Sequence, residues 1–259
     1  MEVVILCGGK GTRLSEETAL KPKPMVEIGG RPILWHIMKS YSNYGYKKFI
    51  LALGYKGHMI KEYFYNARIN QSDFTLKMDP LERPVFHNTL IESDWEISFI
   101  DTGEETLKGG RLKKVEKFIR SENFFVTYGD GLSNININEL FEFHKNHSKI
   151  ATVSAVRPPS RFGEISIKGN KVESFEEKPQ MKDGYINGGF FVFNKKIFEF
   201  LNDDINCDLE FGALQKIAEL GQMNAFRHND FWQCMDNIRE KNYLNMLALE
   251  GKLYWLKSN

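Results

Sequence analysis

Four apolar residues, Val3-Val4-Ile5-Leu6, run through Cys7 into Gly8-Gly9-Lys10-Gly11-Thr12-Arg13-Leu14. The apolar run reads as a buried strand, and the glycines that close it as a loop. This junction opens a repeating pattern that limits the fold more than any other stretch. Behind Pro32, a residue tolerated in a first helical turn, Ile33, Leu34, Ile37, Met38 and Tyr41 recur at helical spacing, and Gly45 ends that helix. Residues 49–53 form a second apolar strand closed by Gly54, and Met59, Ile60, Tyr63 and Phe64 make another helical stripe. Strands alternating with helices predict βαβ units and a mostly parallel sheet.

The pattern weakens over residues 66–94, which read as irregular or as an excursion. Residues 97–101 and 124–128 then look like strands, 111–119 like a helix, and Leu140, Phe141, His144 and His147 mark a further helix. Strands dominate next, at 151–156, 164–167, 172–175 and 190–193. Helices return at 195–201 and 211–220, followed by a strand at 223–227 and a helix at 238–249. There is no repeat, low-complexity run or linker, so the expectation is one α/β domain over residues 1–259, Rossmann-like, with a smaller β-rich portion in its C-terminal half.

Charge and cysteine content exclude several classes. Lys and Arg number 35 and Asp and Glu 34, a net charge of +1, which argues against a dedicated nucleic-acid binder. Cys7, Cys207 and Cys234 are odd in number, far apart and form no CxxC pair, so a reducing compartment fits better than a disulfide framework. No apolar stretch is long enough to span a membrane, and the N-terminus lacks a basic region ahead of its apolar run. A soluble, cytoplasmic protein is expected.

The glycine loop is the first candidate for chemistry. Glycines let the backbone approach a ligand closely, and their N–H groups can line a concave anion site. Arg13 adds a permanent charge with a bidentate fork, and Lys21 and Lys23 follow, alternating with Pro22 and Pro24, which limit backbone freedom. The loop is neither a Walker A sequence nor a dinucleotide fingerprint, because Leu14 stands where a third glycine would be needed. From these residues alone it is either a phosphate cradle or a tight turn beside a solvated lysine pair.

Three other places carry polar groups at element ends. Asp130, in Tyr128-Gly129-Asp130-Gly131, follows a strand, where a carboxylate suits a divalent cation or merely closes a turn. Asp236 precedes the last helix beside Asn237, and either could be an N-cap. Asn187 and Gly188 precede an apolar strand, offering a donor, an acceptor and room for a ring, or a plain turn. Arg111 follows Gly109-Gly110 and can donate to a base edge or pair with an acid at a helix start. His144 and His147 lack a third metal ligand and read as packing residues, as Cys7 reads as a buried thiol. The lysines around Arg111 read as a solvated helix face.

The string Gly8-Gly9-Lys10-Gly11-Thr12-Arg13-Leu14 with Lys21-Pro22-Lys23-Pro24 resembles the signature of the sugar-1-phosphate nucleotidyltransferases. Gly54-Tyr55-Lys56-Gly57, Gly109-Gly110-Arg111-Leu112-Lys113, Tyr128-Gly129-Asp130-Gly131, Glu177-Lys178-Pro179, Asn187-Gly188-Gly189 and Phe231-Trp232 extend the likeness over nearly the whole chain, toward the cytidylyltransferase branch. The resemblance implies Mg²⁺-dependent transfer of CMP from CTP to α-D-glucose 1-phosphate, giving CDP-glucose and pyrophosphate, in a homo-oligomer that supplies bacterial lipopolysaccharide O-antigen synthesis. By the same resemblance residues 1–150 serve mainly the nucleotide and 151–259 mainly the sugar phosphate. It makes Arg13, Lys23 and Asp130 catalytic and Asp130 and Asp236 the metal ligands. Leu6, Gly8, Gly9, Gly11, Thr12, Arg13, Lys23, Thr106, Gly110, Arg111 and Gly129 would bind the nucleotide, and Glu177, Lys178, Asn187 and Gly188 the sugar phosphate. The chain departs from the family pattern at Glu164, over residues 207–214, and at Cys234 and Asn237. Two other readings stand beside this one: the same chemistry with UTP, dTTP or another phosphorylated acceptor, and a nucleotide-binding regulatory subunit without turnover.

Overall fold

Seven strands make the central sheet of the computed structural model, which describes residues 1–79, 82–88, 92–158, 164–176 and 184–256. In chain order the principal strands are β1 (Glu2–Cys7), β2 (Lys48–Leu53), β3 (Glu96–Asp101), β4 (Asn123–Tyr128), β5 (Gly131–Ser133), β6 (Ala151–Val156), β7 (Glu164–Lys168), β8 (Lys171–Glu176), β9 (Ile186–Asn194), β10 (Met223–His228) and β11 (Trp232–Cys234). The principal helices are α1 (Ile33–Asn43), α2 (Gly57–Tyr65), α3 (Lys108–Val115), α4 (Ile137–His147), α5 (Gln215–Glu219) and α6 (Ile238–Leu249). The sheet order is β10-β6-β9-β4-β1-β2-β3. Every neighbouring pair is parallel except the two made by β9, which runs antiparallel to both β6 and β4. The sheet is therefore mixed and mostly parallel, as the alternation predicts.

β1 is apolar throughout because both of its faces are covered. Val3, Ile5 and Cys7 pack with Ile33, Leu34, Ile37 and Tyr41 of α1 on one side, while Val4 and Leu6 pack with Leu112, Val115 and Phe124 on the other. β2 divides the same way, Phe49 and Leu51 to the first side and Ile50 and Ala52 to the second. Each such fully buried aliphatic or aromatic side chain contributes about 1.5–3 kcal/mol. These layers make the sheet a rigid base for the loops at its carboxyl edge.

The C-terminal half departs from the sequence reading in detail. β7 and β8 pair only with each other, as a separate two-stranded hairpin, so the β-rich appendage is smaller than the number of strands implies. Residues 195–200 form a 3-10 helix, and Leu209–Leu214 is a π-turn that leads into α5. Pro32 is the N-cap of α1 instead of lying in its first turn, and Gly45 does end that helix with φ of 88°. The excursion at 66–94 holds a short helix, Ala67–Gln71, and a hairpin joining Phe74–Thr75 to Val85–Phe86.

Candidate active site

The strand order reverses between β1 and β4: the chain builds β1, β2 and β3 outward, then returns to place β4 on the other side of β1. In an open α/β sheet this switch point leaves a crevice at the carboxyl ends of the strands, where ligands bind. Here the crevice is a cavity of about 480 Å³, bordered by the glycine loop after β1 and by Tyr128-Gly129-Asp130 after β4. Leu6, Gly8, Gly9, Gly11, Thr12, Arg13, Lys23, Thr106, Arg111, Gly129, Asp130, Asn187, Gly188 and Asp236 all line it. Fourteen positions spread over the sequence thus converge on one cleft.

Local geometry explains how the loop is held. Gly11 has φ of 64°, a value that favours glycine, and its carbonyl accepts from Leu14 N and from Thr18 Oγ1. Pro22 precedes a 3-10 turn at Lys23–Met25 that buries Lys23 to 7% exposure and aims its ammonium into the cleft. Lys21 does not join it: the Lys21 ammonium pairs with Glu27 at 3.5 Å, so the expected lysine pair supplies a single cation to the cleft.

Asp130 and Asp236 are brought together by a small antiparallel pair that the sequence reading did not anticipate. β11 pairs with β5, setting Cys234 opposite Gly131, and Met235 N donates to the carbonyl of Asp130 at 2.9 Å. Lys23 Nζ then bridges the two carboxylates, 2.7 Å from Asp130 Oδ2 and 2.5 Å from Asp236 Oδ1. Arg13 Nη1 donates to the other oxygen of Asp236 at 2.6 Å. Burial alone would pull the Lys23 ammonium down, but the Asp130 charge and the hydrogen bonds to both aspartates outweigh it and hold it above its ordinary value. Asn237, not Asp236, is the N-cap of α6.

Two carboxylates brought together on one ammonium fit a hard divalent ion such as Mg²⁺, which takes one or two carboxylates and completes its shell with water and phosphate oxygens. A second grouping, Cys234, Asp236 and Glu240, also brings its donor atoms within 4.8 Å of one another. Its soft thiol suits a hard, oxygen-seeking ion such as Mg²⁺ less well than a purely carboxylate pair does.

Arg111 ties the glycine loop to the neighbouring strand ends. It lies inside α3, 3% exposed, and not ahead of a helix. Its terminal nitrogens donate to the carbonyls of Gly8, Leu53, Gly103 and Glu104 and to Thr102 Oγ1, at 2.7–3.1 Å. A guanidinium so engaged clamps the glycine loop to the ends of β2 and β3, and the base edge it was expected to meet would find those nitrogens already taken. Gly110 likewise faces elsewhere: a Cβ there would lie 2.5 Å from the Asp204 carbonyl, so its lack of a side chain serves packing against the 204–207 loop. Lys113 and Lys114 reach the carbonyls of Phe198 and Thr102, so that helix face is tied down and not merely solvated. His144 and His147 both bond to Thr152 Oγ1, and Cys7 is buried.

On the opposite wall stand residues that the sequence reading did not single out. Tyr128 Oη donates to Glu210 at 2.6 Å and accepts from Asn187 Nδ2 at 3.1 Å, while Asn187 Oδ1 accepts from Gly189 N. Lys108 pairs with the same Glu210 and lies 4.7 Å from the Tyr128 ring centre. Burial, reinforced by Glu210, raises the Tyr128 phenol and keeps it a donor. Trp232 Nε1 donates to the carbonyl of Gly188 at 2.8 Å. Motif spacing could have flagged Tyr128 and Trp232, since both sit inside stretches already quoted, but Lys108 and Glu210 meet only through the fold. Glu177 and Lys178 lie outside the described residues, as does the side chain of Glu164.

The profile of the nucleotidyl transferase family matches residues 2–233. The chain is 47% identical over 256 residues to the glucose-1-phosphate cytidylyltransferase of Salmonella typhimurium, covering 98% of each chain. Among solved structures it resembles HddC of Yersinia pseudotuberculosis, with a TM-score of 0.65, 25% identity and coverage of 95% of this chain and 98% of that one. It shares its fold with the inositol-1-phosphate CTP transferase of T. maritima, with a TM-score of 0.67, 17% identity and coverage of 97% and 95%.

Proposed function

Because the chain belongs to the nucleotidyl transferase family, we propose that it transfers CMP from CTP to α-D-glucose 1-phosphate and releases pyrophosphate, with Mg²⁺ held by Asp130 and Asp236. The observation that carries this reading is the 47% identity over 98% of the chain to a glucose-1-phosphate cytidylyltransferase. The cluster of Lys23, Arg13, Asp130 and Asp236 at the switch-point crevice supplies the chemistry it needs.

Both reactants are anions, so the site must neutralise charge and align an oxygen with phosphorus. An oxygen of the sugar phosphate attacks the α-phosphorus of CTP in line. The new P–O bond forms as the bond to the β-phosphate oxygen breaks, and pyrophosphate leaves with the electron pair. The attacking phosphate is already ionised near neutral pH, so no side chain has to remove a proton. The N–H groups of the glycine loop and the exposed Arg13 face the β- and γ-phosphates, and Lys23 faces the α-phosphate, where negative charge builds. When bound, the divalent ion neutralises the phosphate oxygens and fixes their orientation. In the free protein Lys23 and Arg13 are paired with the two aspartates, so the cations and carboxylates of the site screen each other until substrates divide them. Asn187 and Gly188 border the acceptor end, and by resemblance Glu177 and Lys178 would grip a sugar hydroxyl and the incoming phosphate.

The chain works in this reading as one unit, supported by a sheet that draws strands from both halves. Self-association is supported by Tyr65, Leu76, Met78 and Val85, exposed apolar residues at 65–85. Action in the cytoplasm is supported by three free cysteines, and no helix among the described residues is long and apolar enough to cross a membrane. A role in surface-polysaccharide sugar supply is part of the same proposal and rests on the family resemblance alone.

The test is pyrophosphate release by the purified protein with Mg²⁺ and glucose 1-phosphate, comparing CTP, UTP and dTTP. Release with CTP alone is the expected result. Release with another nucleotide would replace the donor; silence with all three would leave another phosphorylated acceptor or the regulatory reading, and continued silence across a panel of sugar 1-phosphates alongside tight CTP binding would indicate the latter.

A further inference from the structure

Asp236 occupies a place where aspartate ordinarily does something else. It stands one residue before the N-cap of α6, within reach of a helix end whose first N–H groups need acceptors. Here the capping bond is made without it. Asn237 Oδ1 accepts from Glu240 N at 3.0 Å, and the Glu240 carboxylate turns back to accept from the main-chain N–H of Asp236 at 2.6 Å. This is a reciprocal capping box with its return bond moved one residue toward the N-terminus. An acid in the first turn is also favoured by the helix dipole. With its own N–H held and the cap filled, Asp236 has both carboxylate oxygens turned outward, Oδ1 to Lys23 and Oδ2 to Arg13.

We propose that Glu240 is a positioning residue for Asp236: by accepting from the Asp236 N–H and closing the cap with Asn237, it keeps the Asp236 carboxylate out of the helix end and directed at the cation side of the cleft. Glu240 touches neither Lys23 nor Arg13 in the bonds described above, so its effect passes through the Asp236 main chain. The proposal rests on the reading of Asp236 as a cation ligand, and the experiment separates the two.

Mn²⁺ is titrated, by the loss of its free-ion electron paramagnetic resonance signal, into the full chain with CTP present, and the Mg²⁺ concentration for half-maximal rate is measured alongside. Four variants are compared with the wild type: Glu240→Gln, Glu240→Asp, Glu240→Ala and Asp236→Ala. Glu240→Gln keeps an oxygen acceptor at the same reach and stays within about threefold of wild type. Glu240→Asp keeps the charge but withdraws the acceptor by one methylene, and like Glu240→Ala it weakens Mn²⁺ by about tenfold or more and raises the Mg²⁺ requirement in step. At saturating Mg²⁺, kcat recovers most of its value in both. Should Glu240→Ala fail to fold, Glu240→Asp against Glu240→Gln carries the comparison. Unchanged Mn²⁺ affinity in Glu240→Asp, with only a lower melting temperature, would make Glu240 a helix cap and nothing more. A loose Glu240→Gln beside a tight Glu240→Asp would assign the effect to charge and overturn the proposal. If Asp236→Ala binds Mn²⁺ as well as the wild type, the ligand reading of Asp236 falls first.

Discussion

Replacing Lys23 by alanine tests the centre of the proposed chemistry. The ammonium lies 2.7 Å from Asp130 Oδ2 and 2.5 Å from Asp236 Oδ1, in a site where it is 7% exposed. At an effective dielectric constant near 20, each contact is a gross attraction of about 6 kcal/mol, much of it offset by desolvation. Removing one partner of a fully buried ion pair destabilises a protein by about 3–5 kcal/mol. Asp130 keeps 26% side-chain exposure and Asp236 still has Arg13, so the loss falls at the lower end, about 3 kcal/mol, or a fall of roughly 5–10 °C in melting temperature. With Asp130 left without its cation and Asp236 held by Arg13 alone, the variant is more responsive to Mg²⁺ than the wild type, so added Mg²⁺ restores more of its melting temperature. Catalysis suffers separately, because loss of one preorganised positive donor at a developing oxyanion lowers kcat by about 10²–10³. Both effects are read on the same sample, by pyrophosphate release with CTP and glucose 1-phosphate and by thermal melting with and without Mg²⁺. Turnover within threefold of wild type in a folded Lys23→Ala protein would refute the assignment of Lys23 to the reacting phosphate.

Three further outcomes are expected. Asp130→Asn removes one of two carboxylates from the proposed cation site, so activity at ordinary Mg²⁺ falls at least about tenfold and partly returns at high Mg²⁺; full activity would remove Asp130 from the metal. Gly8→Ala would put a Cβ 1.9 Å from Arg111 Nη1, and Arg111 cannot step aside without unpairing its carbonyl partners, so stability drops by about 1–3 kcal/mol. Gly9→Ala, with nothing within 4 Å of its Cβ, melts like the wild type, and equal melting of the two variants would contradict the clamp. His36 is held neutral by burial, with a pKa near 4; Trp255 Nε1 donates to its Nδ1 and its Nε2 meets the Ile28 carbonyl. Between the unfolded pKa near 6.5 and the folded value near 4, the unfolded chain binds more protons, so stability falls as the pH is lowered through that window, by about 2 kcal/mol at pH 5. Melting temperatures from pH 7 to 5 should show a shallower slope in His36→Gln, and an unaltered slope would assign the pH dependence to other groups, among them His144, also held near 4 by burial and by His147.

The strands and helices that carry the sheet were legible because their signals are local. β1 and β2 are apolar on every residue since both faces are buried, and α1 shows its stripe at helical spacing. The placement of the glycine loop and of Asp130 was legible too, since each follows a strand whose end is visible in the sequence. Less of the wall around Arg111 could be read. Arg111 looked like a base-reading donor because nothing in its neighbours reveals that four carbonyls, from the end of β2 and from two loops, converge on it. The Lys21 and Lys23 side chains, two residues apart, diverge because the 3-10 turn at Lys23–Met25 turns Lys23 inward and leaves Lys21 to Glu27.

The sequence by itself determined the α/β alternation, the glycine loop that closes the first strand and the family, because periodicity and motif spacing are properties of neighbours along the chain. Only the tertiary structure decided that Asp130 and Asp236 share one ammonium, that Tyr128, Asn187, Lys108 and Glu210 form one wall, and that Asn237 rather than Asp236 caps the last helix. Those are pairings across 59 to 213 residues of chain, or choices between two acceptors for one N–H, and each is fixed by the hydrogen bonds that buried groups must find once β5, β11 and α6 have packed.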